Sequence, residues 1–160
     1  MTDASHRNVL RVVSAGSALG FVVAPVAFSE GTRTAEDAAA AIGVPVGAIV
    51  KSLVFLADGA PVVALVSGSN LLDEAKLALA SGASSTGRAS AVEVRDATGY
   101  PVGGVPPFGH ETLLPTFVDE DLLAYAEVWA AAGTPHVNFA ITPSELVRVT
   151  GGTVCDLAAR

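Results

Sequence analysis

Cysteine is almost missing. The chain holds one, Cys155, so neither a disulfide framework nor a cysteine-rich metal site can form. A lone thiol fits a reducing, cytoplasmic setting. Lysine is nearly as scarce, with only Lys51 and Lys76 in 160 residues. Positive charge as a whole runs short: nine Lys and Arg face sixteen Asp and Glu, for a net charge of −7. That balance argues against broad, sequence-independent nucleic-acid binding, which sets many cations against phosphates. It leaves room for a grip on a single nucleic-acid end. No run reaches the roughly 18 consecutive apolar residues of a membrane span. His6, Arg7 and Arg11 ahead of Val12 to Phe28 imitate a signal peptide. Asp3, the breaks at Gly16, Gly20 and Pro25, and the lack of an A-x-A cleavage site favour a helix followed by a strand. Three scattered histidines argue against a zinc site. The G-x-S-x-G elbow, H-E-x-x-H, the P-loop and G-x-G-x-x-G do not occur.

What is present is a core. Half the residues are hydrophobic (51%), enough for one domain over residues 1–160. Apolar spacing predicts a helix over 5–17, stopped by Gly20, then a strand over Phe21 to Phe28. Thr34 and Asp37 open a second, alanine-filled helix that Gly43 and Pro45 end. Ile49 to Ala57 and Pro61 to Ser67 read as a hairpin about Asp58-Gly59, apolar on both faces and therefore central. A helix is expected from Asn70 to Leu79, and another after the Ser90/Glu93 capping box, ending at Gly99. Thr112 to Val118, interrupted by Pro115, reads as an edge strand, with Asp119 capping a helical turn. Glu127 to Ala132 and His136 to Ile141 read as strands joined at Gly133-Thr134-Pro135. Thr142, Pro143 and Glu145 start a helix, a short strand follows at Val147–Val149 or Thr153–Cys155, and the last few residues read as a tail. The irregular alternation implies an α+β chain: a mixed, partly barrel-like β-sheet with short helices outside.

Thr98 to His110 is dense in glycine and proline, which no helix or central strand tolerates. Tyr100, Val102, Val105 and Phe108 give this loop apolar anchors. It reads either as a rigid substrate-facing wall or as an ordered structural loop. Lys51 is the sharpest single residue. It shares a strand face with Ile49, Leu53 and Phe55, where a charge is costly unless it is paired or lines a polar cavity. It reads as a cation holding a phosphate, carboxylate or carbonyl oxygen, or as a lysine snorkelling from a strand end. His136 and Asn138 share a strand face and can contact a ligand or a water; a hydrogen-bonded structural histidine is the other reading. His110 reads as exposed. Trp129 and Phe139 read as core.

Thr34-Ala-Glu-Asp-Ala-Ala, Ile49-Val-Lys51-Ser-Leu-Val-Phe, Thr98-Gly-Tyr-Pro-Val-Gly-Gly-Val-Pro-Pro and Gly133-Thr-Pro-His-Val-Asn fall in an order that resembles the YbaK/ProX/EbsC family. These are stand-alone relatives of the editing domain of bacterial prolyl-tRNA synthetase. The resemblance implies the YbaK-like fold and hydrolysis of the ester on a mischarged tRNA, with alanyl- or cysteinyl-tRNA-Pro as substrate and without metal or cofactor. Lys51 matches the family's essential lysine, and Gly103 to Pro107 its G-x-x-x-P loop. Gly103 and Gly104 are then the expected oxyanion donors. Val105, Pro107, Gly133, His136, Asn138 and Phe28 are the expected substrate contacts. The implied partners are the aminoacyl-tRNA acceptor end and prolyl-tRNA synthetase, with no membrane, for a monomer or homodimer. Ala131 and Pro106 stand where other members carry serine. A non-catalytic module binding tRNA ends, nucleotides or a synthetase, and a Schiff-base enzyme using Lys51, are the alternative functions.

Overall fold

The structure, a computed structural model, describes residues 3–29, 32 and 34–160. Helix α1 (Asp3–Ala18) buries Val9, Val12 and Gly16 along one stripe and packs on strand β6 (Val128–Thr134). The strand expected over 21–28 shrinks to β1, Val26–Ala27, which pairs with β7 (Val137–Ile141). Val22, at 86% exposure, shows why: this stretch has no neighbour to pair with along most of its length.

Helix α2 (Ala35–Ile42) starts on Thr34, whose hydroxyl accepts the Asp37 N–H, and stops at the left-handed Gly43. Strands β2 (Val50–Ala57) and β3 (Ala60–Ser67) form the expected hairpin. Asp58 and Gly59 both take positive φ, 49° and 85°, the type I′ signature that matches strand twist. The hairpin lies inside a five-stranded sheet of order β4-β2-β3-β5-β8. One face contributes Val50, Val54, Val63 and Leu65 to the larger core; the other contributes Phe55, Val62, Ala64 and Val66 to a second core with Leu77. Burial on both faces explains the unbroken apolar runs.

Helix α3 (Glu74–Ser81) begins four residues later than expected, because Asp73 caps it and Asn70 is committed to side-chain bonds elsewhere. The short strand β4 (Thr86–Arg88) pairs with the end of β2 and carries too little pattern to be read in advance. Helix α4 (Ala91–Thr98) has the full Ser90/Glu93 capping box and ends at Gly99.

Strand β5 (Thr116–Asp119) is not an edge. It lies parallel between β3 and β8 (Thr153–Cys155). Pro115 stands just ahead of it and spends only its carbonyl, on the Val63 N–H, so its missing donor breaks no ladder bond. The turn between β6 and β7 also differs: Thr134 pairs with Val137, so Pro135-His136 is the turn and Gly133 lies inside β6 at a bulge. Helix α5 (Pro143–Thr150) starts on Thr142, with Ile141 and Leu146 both buried as a staple. The C-terminus is no tail. Leu157 and Ala158 are fully buried, and the Leu157 carbonyl accepts the Asp73 N–H.

Two open sheets result, the second of order β1-β7-β6. A parallel bridge between Ile49 and Trp129 joins them at one point, beyond which β2 and β6 diverge.

Candidate active site

The divergence opens a cleft of about 440 Å³. Its floor is the β2 edge from Val50 to Phe55. Thr32 and α2 form one wall through Ala35, Glu36 and Ala38, and the glycine-proline loop forms the other through Val102, Gly103 and Val105. Arg88 and Ala89 close one end, and Ala131, Pro135 and Asn138 line the side toward the second sheet.

The β2 edge is unpaired here for a reason visible in its ladders. The Ile49 carbonyl accepts from Gly68 on the β3 side, and the Val54 carbonyl accepts from Ala89 on the β4 side. Main-chain groups alternate along a strand, so those of Ser52 turn to the β4 side. Strand β4 pairs only with Phe55 to Ala57, which leaves Ser52 facing the cleft.

Lys51 is half-buried on this floor, and its ammonium donates to the Asn70 main-chain carbonyl. Burial lowers its pKa below the ordinary 10.5; the Glu36 and Asp119 carboxylates oppose that shift and Arg88 adds to it. Neither Lys51 nor Arg88 has a carboxylate within salt-bridge distance among the described residues, whereas Lys76, Arg148 and Arg160 do. An acidic protein thus lines one cleft with two cations that form no salt bridge among the described residues, with Glu36 as the carboxylate on the facing wall. Ser52 Oγ and Asn138 Nδ2 are buried there without a partner among the described residues. Such atoms are costly unless a ligand or water completes them.

The loop wall is built for close approach. The Gly104 N–H closes a turn on the Pro101 carbonyl at 3.0 Å, with Gly103 at φ 86°. A Cβ on Gly104 would lie 2.9 Å from both the Gly133 carbonyl oxygen and Thr134 Cα. Tyr100, Val105 and Phe108 anchor the loop in the core, the Phe108 ring 5.7 Å from Phe139. Val102 is no anchor: it is 60% exposed and lines the cleft. His110 is not exposed either. Its Nε2 lies 2.7 Å from the Pro106 carbonyl and clasps the loop; burial lowers its pKa, and that contact opposes the shift.

Of the residues singled out in the sequence, Lys51, Gly103, Val105 and Asn138 meet at the cleft. Gly104 does not line it, and its N–H is already engaged. Pro107 is buried behind the loop. Gly133, at φ 94°, faces Asn8 of α1. His136 sits in the turn, off the strand face of Asn138, with a buried Nδ1 and its carbonyl bound to the Phe28 N–H. Phe28 packs edge-on to Trp129 and does not line the cleft. Arg88, Glu36 and Ser52 were missed. Ser52, adjacent to Lys51, was the one with a signal: a small polar residue in an apolar strand.

Two open sheets meeting at a lysine-floored cleft define the class, an α+β protein of the YbaK-like fold. The family model for the aminoacyl-tRNA editing domain matches residues 29–149, and the chain belongs to that family. It is 30% identical over 135 residues to the Enterococcus faecalis protein named "Putative Cys-tRNA(Pro)/Cys-tRNA(Cys) deacylase EbsC", covering 84% of this chain and 82% of that one. It is 42% identical over 92 residues to a proline–tRNA ligase of Nitratidesulfovibrio vulgaris, covering 58% of this chain and 16% of the ligase. A crystal structure described as "a putative trans-editing enzyme for prolyl tRNA synthetase" superposes with a TM-score of 0.91 at 47% identity, over 96% of this chain and 98% of the other. No described helix is long and apolar enough to cross a membrane.

Proposed function

We propose that this protein is a trans-acting deacylase of the prolyl-tRNA synthetase editing type, with alanyl- or cysteinyl-tRNA-Pro as its substrate. The observation that carries the reading is one cleft shared by the Lys51 amine and the Gly103 loop, in a chain of the editing-domain family. The cleft volume falls in the range of small-molecule sites, about 300–1,000 Å³. It suits a terminal nucleotide with its aminoacyl group rather than a duplex. The negative net charge fits recognition confined to that end.

Water adds to the ester carbonyl carbon. The bond to the ribose oxygen breaks, and that oxygen takes a proton. Lys51 has two N–H bonds left after the one given to Asn70, and uses them on the terminal phosphate or the ester oxygen. Arg88 adds a second cation for phosphate. The Ser52 N–H, rather than that of Gly104, faces the site and supplies an oxyanion donor. Asn138 and the small Ala131 border the aminoacyl group. Glu36 is the carboxylate among the described cleft residues; we assign it to balancing the Lys51 charge, and a ribose hydroxyl assists the water. The proposal uses these groups and water alone, without metal or cofactor, and takes prolyl-tRNA synthetase as the partner whose errors are cleared.

The test is loss of label from alanyl-, cysteinyl- and prolyl-tRNA-Pro with and without protein. Faster loss from one of the first two, with prolyl-tRNA-Pro spared, is expected. Equal loss with and without protein overturns the reading.

A further inference from the structure

We propose that Asn70 is a positioning residue for the Lys51 amine, held in place by the buried carboxylate of Asp119 and by Asp121. This rests on the deacylase reading only where it concerns turnover.

Asn70 follows β3 in a loop. Its position is fixed from three sides. Its N–H donates to the Ser67 carbonyl at 2.9 Å. Its side-chain Nδ2 donates to Asp119 Oδ2 at 2.9 Å and to Asp121 Oδ2 at 2.8 Å. The remaining polar group of its main chain, the carbonyl, accepts the Lys51 ammonium.

Asp119 anchors the arrangement. It is fully buried, and its oxygens accept from the Ser67 N–H, the Asp121 N–H and Asn70 Nδ2. Three donors offset the burial of one carboxylate without a cation in contact. Asp121 is held from the far side by Arg160 at 3.3 Å.

The consequence concerns the lysine's freedom. A lysine side chain with four rotatable bonds sweeps a wide volume, and its ammonium is a compact charge with no preferred plane. One bond to a fixed carbonyl limits that sweep and leaves two N–H groups for the substrate. Main-chain carbonyls in loops shift readily; this one is pinned by its own side chain. The charged groups acting on Lys51 are Glu36 from α2, Arg88 from β4 and Asp119 at the end of β5. None of them contacts the amine, which leaves the Asn70 carbonyl as its hydrogen-bond partner among the described residues.

The experiment uses the scarcity of lysine. The ¹⁵N-labelled full chain gives two side-chain Nζ signals, and Lys76→Arg identifies that of Lys51. Asn70→Ala is expected to move or broaden the Lys51 signal through faster exchange. It is also expected to lower kcat about ten- to a hundredfold with little change in KM, and to lower the melting temperature, because the buried Asp119 carboxylate loses one of its three donors. A Lys51 signal unmoved by Asn70→Ala overturns the proposal, whatever happens to turnover. Should that variant fail to fold, Asp121→Ala removes one of the two carboxylates at an accessible position. It must shift the same signal in the same sense, and an unmoved signal overturns the proposal equally. A wild-type protein inactive on every tRNA rejects the deacylase reading alone, because the Lys51 signal still decides this one.

Discussion

Lys51→Ala is expected to reduce deacylation by about 10²–10³-fold while the protein stays folded, and Lys51→Met to do the same. The two substitutions separate charge from packing. Methionine keeps an unbranched apolar stem along the β2 floor, so a loss shared by both variants belongs to the ammonium. Stability is expected to hold because burial is the largest influence on this amine and acts against its charged form. The bond to Asn70 and the Glu36 and Asp119 carboxylates offset only part of that cost. A lysine kept at a cost to the fold is the usual mark of a group retained for chemistry. The measurement is single-turnover deacylation beside a thermal melt. Turnover within threefold of wild type in Lys51→Met would remove the amine from the mechanism.

Gly104→Ala is expected to destabilise the protein by about 1–3 kcal/mol and to lower turnover at least tenfold. The added methyl meets main-chain atoms of Gly133 and Thr134, both at 2.9 Å. Neither can step aside, since Gly133 is itself pressed against Asn8 of α1. The loop must therefore lift from β6, carrying Val102 and Gly103 away from the cleft. Chemical denaturation with the same deacylation assay checks both halves. Gly43→Ala is a useful contrast, because a Cβ there would meet nothing within 4 Å; strain at its φ of 88° remains, but no cleft wall moves.

The elements that could be read in the sequence were those with a local cause. The Asp58-Gly59 turn, the Thr34, Ser90 and Thr142 caps and the central β2–β3 hairpin depend on nearest neighbours, and all appear. The misreadings have tertiary causes. Strand β5 gained a second parallel neighbour from β8, 36 positions away in the Phe117–Thr153 and Val118–Val154 register, which no local pattern encodes. Asn70 has an ordinary helix-start signature, but distant carboxylates claimed its side chain. At the site, the odd lysine and the glycine-proline loop were legible because each breaks a local rule. Arg88 was not, because an arginine on a short surface strand breaks none. The Gly104 N–H illustrates the opposite error. A glycine-rich loop suggests free donors, yet this one closes its own turn.

The central claim is that the cleft floored by Lys51 receives the aminoacylated terminal nucleoside. Titrating the ¹⁵N-labelled protein with a non-hydrolysable 3′-aminoacylamino analogue of adenosine tests it most directly. The account predicts amide shifts at Lys51, Ser52, Arg88, Val102, Gly103 and Asn138, with the Lys51 Nζ signal moving in step. Saturable shifts confined to the shallow hollow beside Leu10, Arg11 and Tyr100, with the cleft residues still, would contradict it.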